Sequence, residues 1–366
     1  MLNNNFVMVI KLLSITLVVA LTACSSAPKQ SEQKELVFPE PPDPPRYYYQ
    51  NTILSDLDVT KETEDAKVQR WLTGMGKTGK PMSKPYGVGV RNGNLYVSDP
   101  PARIVHQFDF IQNRYIEVGK EGEINEILVK PFEVAIDAAG NLYVVDRSDG
   151  NIKIYDNNGK FVKKIGQKED FDMATGIAVN QDGSLIYVSD TGGVESQRHH
   201  ILVYDGITGD LLRNFSKRGS GDGELNLPKG ITLVNDKELY VVDSGNFRVV
   251  VFDVDSGEML RTFGQIGRQL GMFSRPKSIT TCGEDIIIIS DASHGNIQLF
   301  NKQGQLLMFI GNRGNNLEPA KYMLTSGVSC DEDGRIYVAD QFFKKVDVFR
   351  PASLAAADGI IPYNQD

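Results

Sequence analysis

From about residue 66 to residue 350 the chain alternates short apolar runs with clusters of Gly, Asn, Asp and Ser. The runs are rich in Val, Ile, Leu and Tyr, which suit a pleated, half-buried surface. No long stretch shows the three-to-four-residue period of an amphipathic helix. One phrase recurs: Leu95-Tyr96-Val97-Ser98-Asp99, then Leu142 to Asp146, Ile186 to Asp190, Leu239 to Asp243, Ile287 to Asp291 and Ile336 to Asp340. The closing Asp residues stand 47, 44, 53, 48 and 49 positions apart. A repeat of that length made of strands predicts propeller blades rather than a helical solenoid.

Each repeat divides into four strand-like pieces. In the fourth they are Gly230 to Val234, Leu239 to Val242, Val249 to Asp253 and Met259 to Phe263, separated by Asn235-Asp236, Ser244-Gly245-Asn246 and Asp255-Ser256-Gly257. These separators are turn residues. The sixth repeat lacks its fourth piece, because Pro351 and SLAAADG follow Phe349. The segment Val68 to Gly76 matches Met259 to Gly267 in texture and is expected to supply the missing outer strand. The expected fold is all-β: a six-bladed β-propeller over residues 66–351, closed by an N-terminal strand in the last blade.

Pro begins several repeats (Pro85, Pro131, Pro228, Pro276), an apolar strand and Tyr-Val-x-Asp follow, and then comes Asn246-Phe247-Arg248-Val249. This pattern resembles the NHL repeat, whose family forms six-bladed propellers. The resemblance covers about residues 66–350 and speaks for fold. It says little about function, since such folds host enzymes, scaffolds and binding platforms alike.

Ahead of the repeats, Lys11 precedes the apolar run LLSITLVVALTA (12–23), which is short for a membrane span and suits a signal peptide. Leu21-Thr22-Ala23-Cys24 resembles a bacterial lipobox, which implies cleavage after residue 23 and acylation of Cys24. Ser25 after the Cys favours the outer membrane under enteric-type sorting. Residues 24–65 read as a lipidated N-terminus and a polar, Pro-rich tether, with SSAPKQSEQKELVFPEPPDPPRYYYQ at 25–50. Residues 352–366 read as a C-terminal tail.

Charge narrows the partners. With 39 basic and 47 acidic side chains the net charge is −8, which gives no general attraction to nucleic acid. Beyond Cys24, Cys282 and Cys330 remain. They sit at matching positions near the ends of neighbouring inner strands. A disulfide needs Cα atoms within about 7 Å, and strands diverging around a channel favour two separate buried thiols.

The six strand-ending Asp residues suggest a carboxylate ring. Their repetition in every blade instead favours a structural task, accepting backbone N–H groups in the adjoining turns. The amidating lyase of peptide-hormone maturation resembles this fold and binds zinc through His near the start of inner strands. Here those positions are Tyr86-Gly87, Phe132-Glu133, Thr175-Gly176, Lys229-Gly230, Lys277-Ser278 and Ser326-Gly327, with no His. Glu133 is a lone inner-strand carboxylate, and no metal or cofactor is expected. One feature breaks the repeat: TGGVESQRHH (191–200) replaces the five-residue turn found after Asp243. That loop is expected to overhang one mouth of the ring with Arg198, His199 and His200, joined by Arg103, Arg147, Arg248 and His294 from neighbouring turns. The sequence therefore suggests a monomeric, non-catalytic, lipid-anchored platform in the periplasm that contacts an envelope protein. The alternative is a lyase- or lactonase-like enzyme with a central metal or carboxylate site.

Overall fold

The structure is a computed structural model, and it describes residues 35–74 and 76–359. The apolar leader and Cys24 lie outside the described residues. Six antiparallel sheets follow one another around a channel, each ordered from an inner to an outer strand. Blade I is Val88–Arg91, Asn94–Asp99, Ile104–Asp109 and Arg114–Val118. Blade II is Pro131–Ile136, Leu142–Asp146, Asn151–Tyr155 and Phe161–Ile165. Blade III is Ala174–Val179, Leu185–Asp190, His200–Asp205 and Leu211–Phe215. Blade IV is Pro228–Val234, Glu238–Asp243, Arg248–Asp253 and Met259–Phe263, and blade V is Pro276–Cys282, Ile286–Asp291, Asn296–Asn301 and Leu306–Ile310. Blade VI takes Thr325–Cys330, Ile336–Asp340 and Lys345–Pro351 from the end of the chain.

The ring closes with a different segment from the one expected. Tyr47–Ile53 pairs antiparallel with Lys345–Pro351, from Tyr47 opposite Pro351 to Ile53 opposite Val346. Val37–Phe38 adds a short fifth strand outside it. The sequence YYYQNTI is aromatic and β-branched, and its Tyr47 and Ile53 are buried. Thr52 donates to Asp347 at 2.6 Å, and Phe38 meets the Phe349 ring edge-on at 5.5 Å. Part of the supposed tether therefore belongs to the propeller.

The segment from Val68, assigned to the closing strand from the sequence, is instead the second half of an α-helix, α1 (Glu64–Thr73). Its local signals outweigh the resemblance to blade IV. The Thr63 hydroxyl caps Ala66 N–H, Glu64 and Asp65 sit in the first turn, and Gly74 ends the helix at φ 66°. None of its residues is buried.

The repeated Asp explains how the blades are held. Each Asp accepts backbone N–H bonds from the segment leading into its own inner strand: Asp146 from Val129 and Lys130, Asp291 from Ser274 and Arg275, Asp340 from Met323 and Leu324. Asp99 and Asp190 do the same. A buried carboxylate with several such donors is satisfied and fixes where the chain re-enters the ring. The Ser before Asp in alternate blades ties neighbours together. Ser98, Ser189 and Ser290 donate to the carbonyls of Phe132, Lys229 and Ser326 in the next blade. Between blades, apolar side chains interdigitate, as with Tyr187, Ile201 and Val203 against Ile231, Leu239 and Val250.

Cys282 and Cys330 form a disulfide, with Cα atoms 5.3 Å apart, rather than two separate thiols. The inner strands of blades V and VI stay packed side by side where they end instead of splaying. The bond closes a loop of 48 residues. Replacing both Cys by Ala should lower stability by up to about 4 kcal/mol on the chain-entropy account, read as a lower urea midpoint under oxidising conditions. An unchanged midpoint would remove the bond from the list of what holds the ring.

Candidate functional site

All six turns between second and third strands lie on one face with the connections between blades. That face is called the upper one here. Inner strands start there, so their second residues, and Tyr86 at the equivalent place just ahead of Val88, rim the upper mouth of the channel: Tyr86, Phe132, Thr175, Lys229, Lys277 and Ser326. The next position is Gly in four blades, and its bareness matters. A Cβ on Gly176 would stand 2.3 Å from the Lys229 carbonyl, and one on Gly327 would stand 2.5 Å from the Tyr86 carbonyl. Neighbouring inner strands pack too closely there for a side chain.

Blade V has the small Ser278 at this position, and blade II has Glu133. Its carboxylate fits because Gly87 opposite has no Cβ; one there would be 2.7 Å from Oε1. Glu133 is buried and lines the channel. Burial pushes its pKa up to about 8, offset in part by the Val134 backbone N–H, so it is mostly protonated at neutral pH.

Cations gather at the mouth above it, beside Tyr86 and one another. Lys229 and Lys277 come from the inner strands of blades IV and V, Arg275 and Lys84 from the segments leading into blades V and I, and Arg147 from the turn of blade II. Lys277 is pushed down to about 8, first by burial and then by Arg275 and Lys229, with Asp340 opposing. Lys229 is held below the usual lysine range by burial and by Arg147 and Arg275. None of these five side chains is in a salt bridge with a described residue. They repel one another, and the carboxylates that oppose this, Asp340 for Lys277 and Asp190 for Arg147, form no ion pair with them.

An aromatic plate completes the mouth. The Tyr86 and Phe132 rings lie 3.9 Å apart between centroids, and the Arg147 guanidinium sits 4.5 Å from the Phe132 centroid. A groove of about 570 Å³ runs outward from this plate, lined by Lys84, Tyr86, Arg103, Lys130, Phe132 and Gln341. The lower channel encloses about 210 Å³ between the inner strands. Such a mouth can desolvate and neutralise an anionic group while stacking a flat one.

The residues singled out from the sequence divide. Arg147 and Arg103 stand at the mouth and its groove. Arg248 is engaged inside its own blade, 2.8 Å from Asp243 and donating to the Gly221 and Glu224 carbonyls. The half-buried His294 faces the Gly267 carbonyl at 3.2 Å. The blade III insertion folds down onto the upper face instead of overhanging it. Arg198 binds Asp172 at 2.7 Å, and Arg218 donates to the Ser196 carbonyl.

His199 is fully buried, which places it inside the fold rather than on a contact surface. Its Nε2 lies 2.9 Å from the Gly193 carbonyl, and its Nδ1 accepts the Leu227 N–H. In blade IV, then, His199 takes one of the lead-in amides that an Asp takes elsewhere. His200 is lowered from its ordinary value chiefly by burial, so it stays neutral near neutral pH. Among the described residues, no group of three or more His, Cys, Asp or Glu side chains stands together as a metal site requires.

Sequence reasoning passed over Lys84, Lys229, Arg275 and Lys277. The basic character of Lys229 and Lys277 at two of the inner-strand entries is the signal in the sequence that points to them.

The fold agrees with known proteins. The family model described as NHL repeat matches residues 225–252, within blade IV and the segment leading into it. The chain is a six-bladed β-propeller in which this one stretch matches the NHL repeat. Its solved likenesses include a structural-genomics protein of unknown function from Bacteroides thetaiotaomicron, at 12% identity and TM-score 0.61 over 82% of this chain and 76% of that one. A gluconolactonase from Xanthomonas campestris matches at 16% identity and TM-score 0.56, over 83% and 98%. An auxiliary nutrient binding protein from Bacteroides thetaiotaomicron matches at 13% and 0.56, over 75% and 70%. At these identities the likeness establishes the fold alone. No curated protein matches the chain significantly.

Proposed function

We propose that this protein is a non-catalytic binding platform, anchored in a bacterial envelope through an acylated Cys24, whose upper mouth holds an acidic segment of a partner protein. One observation carries the reading. Five cations from four blades converge, none in a salt bridge with a described residue, on the mouth of a chain whose net charge is −8. The groove beside the mouth adds a second surface for the contact, and the aromatic plate gives it a flat anchor. Arg and aromatic side chains are the residues that dominate such contacts. The contact surface is thus the rim rather than the blade III insertion, whose basic residues are engaged within the fold.

Fractionation tests the anchor and capture tests the platform. Wild-type protein should sediment with envelope membranes and retain partners on an affinity support in low salt. Cys24→Ser should leave the membrane fraction or accumulate unprocessed, with the propeller intact. Retention on the membrane as a processed protein would contradict the anchor. Partner capture that is indifferent to salt would contradict an electrostatic mouth.

A further inference from the structure

Helix α1 presents an apolar stripe that the propeller does not cover. Val68, Trp71 and Leu72 are 55%, 82% and 68% exposed. Spaced by three and four, they share one helix face. No other part of the described surface concentrates large apolar side chains on one helix, and the helix itself adds nothing to the core.

We infer that this helix is a membrane-surface contact: its apolar stripe enters the headgroup boundary of the bilayer in which the protein is anchored. The inference rests on the lipid-anchored reading above for its local concentration, and on two observations for its occupant. The first is charge. Residues 61–80 carry Lys61, Lys67, Arg70, Lys77 and Lys80 against Glu62, Glu64 and Asp65, a net of +2 on a chain of −8. Lys67 pairs with Glu64, and Arg70 and Lys77 with Glu62, so the excess lies at Lys61 and Lys80, the latter shared with Glu117. A Trp and Leu face flanked by lysines is the composition that suits an anionic lipid surface.

The second observation is length. The sheet begins at Val37, only 13 residues after Cys24. Fully extended, that connection spans at most about 45 Å, so an acylated Cys24 would hold the propeller close to the bilayer. Three apolar side chains bind lipid weakly alone, but a short tether makes the second contact intramolecular and raises its effective concentration to the millimolar range.

Trp71 is the only Trp in the chain, so its fluorescence reports this helix alone. A chain starting at residue 25 keeps every strand of the ring and lacks both leader and acyl group. Titrated with phosphatidylglycerol–phosphatidylethanolamine vesicles, it should show a blue shift and several-fold protection of Trp71 from iodide. Pure phosphatidylcholine should give less. Val68→Ser with Leu72→Ser keeps the reporter and should lose the response, while thermal unfolding stays unchanged. The acylated protein reconstituted in the same vesicles should respond at far lower lipid concentration.

Trp71 emission that stays water-like in both forms would overturn the inference. So would a shift that follows protein concentration without lipid, which marks a second copy as the occupant. If the acylated preparation does not float with vesicles, the anchor reading fails, and the spectrum of the unacylated chain still decides the helix.

Discussion

Removing residues 37–53 should unfold or aggregate the propeller, whereas removing α1 should barely move its unfolding midpoint. The first deletion takes away the outer strand pair of blade VI and exposes the ladder of Lys345–Pro351. Phe38, Tyr47 and Ile53 are all buried in the native ring. Burying side chains of this size contributes about 1.5–3 kcal/mol each, so their combined loss is comparable with the whole stability of a typical domain. The exposed edge would also invite pairing with another chain. Excising residues 64–73 with a short Gly-Ser linker removes no buried side chain and should change stability by less than about 1 kcal/mol. Circular dichroism melts of the two variants check both statements. A cooperative, unshifted melt without residues 37–53 would refute this closure.

Charge reversal at the rim should have the largest effect on binding. Lys229→Glu with Lys277→Glu replaces two desolvated cations of the rim by carboxylates. Losing one such partner from a buried charge contact costs about 2–5 kcal/mol. Together they should weaken partner capture by on the order of a thousand-fold or more. The propeller should fold as before or better, since the native cations repel each other. Arg198→Ala, in the insertion, should leave capture within a few-fold of wild type. Were the two results exchanged, the contact would belong to the insertion.

The recurrence of Tyr-Val-x-Asp made the fold legible, because each Asp does the same work in each blade: it receives the backbone amides of its own lead-in segment. The closing strand was hidden by its neighbourhood. Tyr47–Ile53 follows FPEPPDPP, whose composition reads as a spacer, and only long-range pairing with Lys345–Pro351 makes it a strand. In α1 the error ran the other way: a capping Thr and a terminal Gly, both visible in the sequence, were outweighed by similarity to blade IV. Cys282 and Cys330 were recognised as equivalent positions, but their separation depends on how tightly adjacent inner strands pack, which pattern alone does not convey.

The mouth was the least legible part. Lys84, Arg147, Lys229, Arg275 and Lys277 are scattered through the repeats, and each alone reads as a solvated surface charge. The ring gathers them. Glu133 stood out as a lone carboxylate, yet its meaning lies in Gly87, a residue of another blade that leaves room for it. The conspicuous insertion at 191–200 turned out to be fastened to the fold through Arg198, His199 and Ser196.

The central claim is that the rim binds an anion, and pH tests it most directly. Lys277 titrates near 8 among Arg275, Lys229, Lys84 and Asp340, and Glu133 titrates near 8 beside Tyr86. Below that pH Lys277 is charged and Glu133 neutral, the state an anion prefers. As pH rises through 8 the ammonium is lost and a carboxylate appears, and both changes repel the ligand. Titration calorimetry of the propeller with a glutamate oligopeptide, from pH 6 to 10, should therefore give a flat affinity below about pH 7.5. Above pH 8.5 log K should fall with a slope between −1 and −2, and Glu133→Gln should bring the slope toward −1. An affinity that stays constant across this range, or no binding of the oligopeptide at any pH in low salt, would contradict the account.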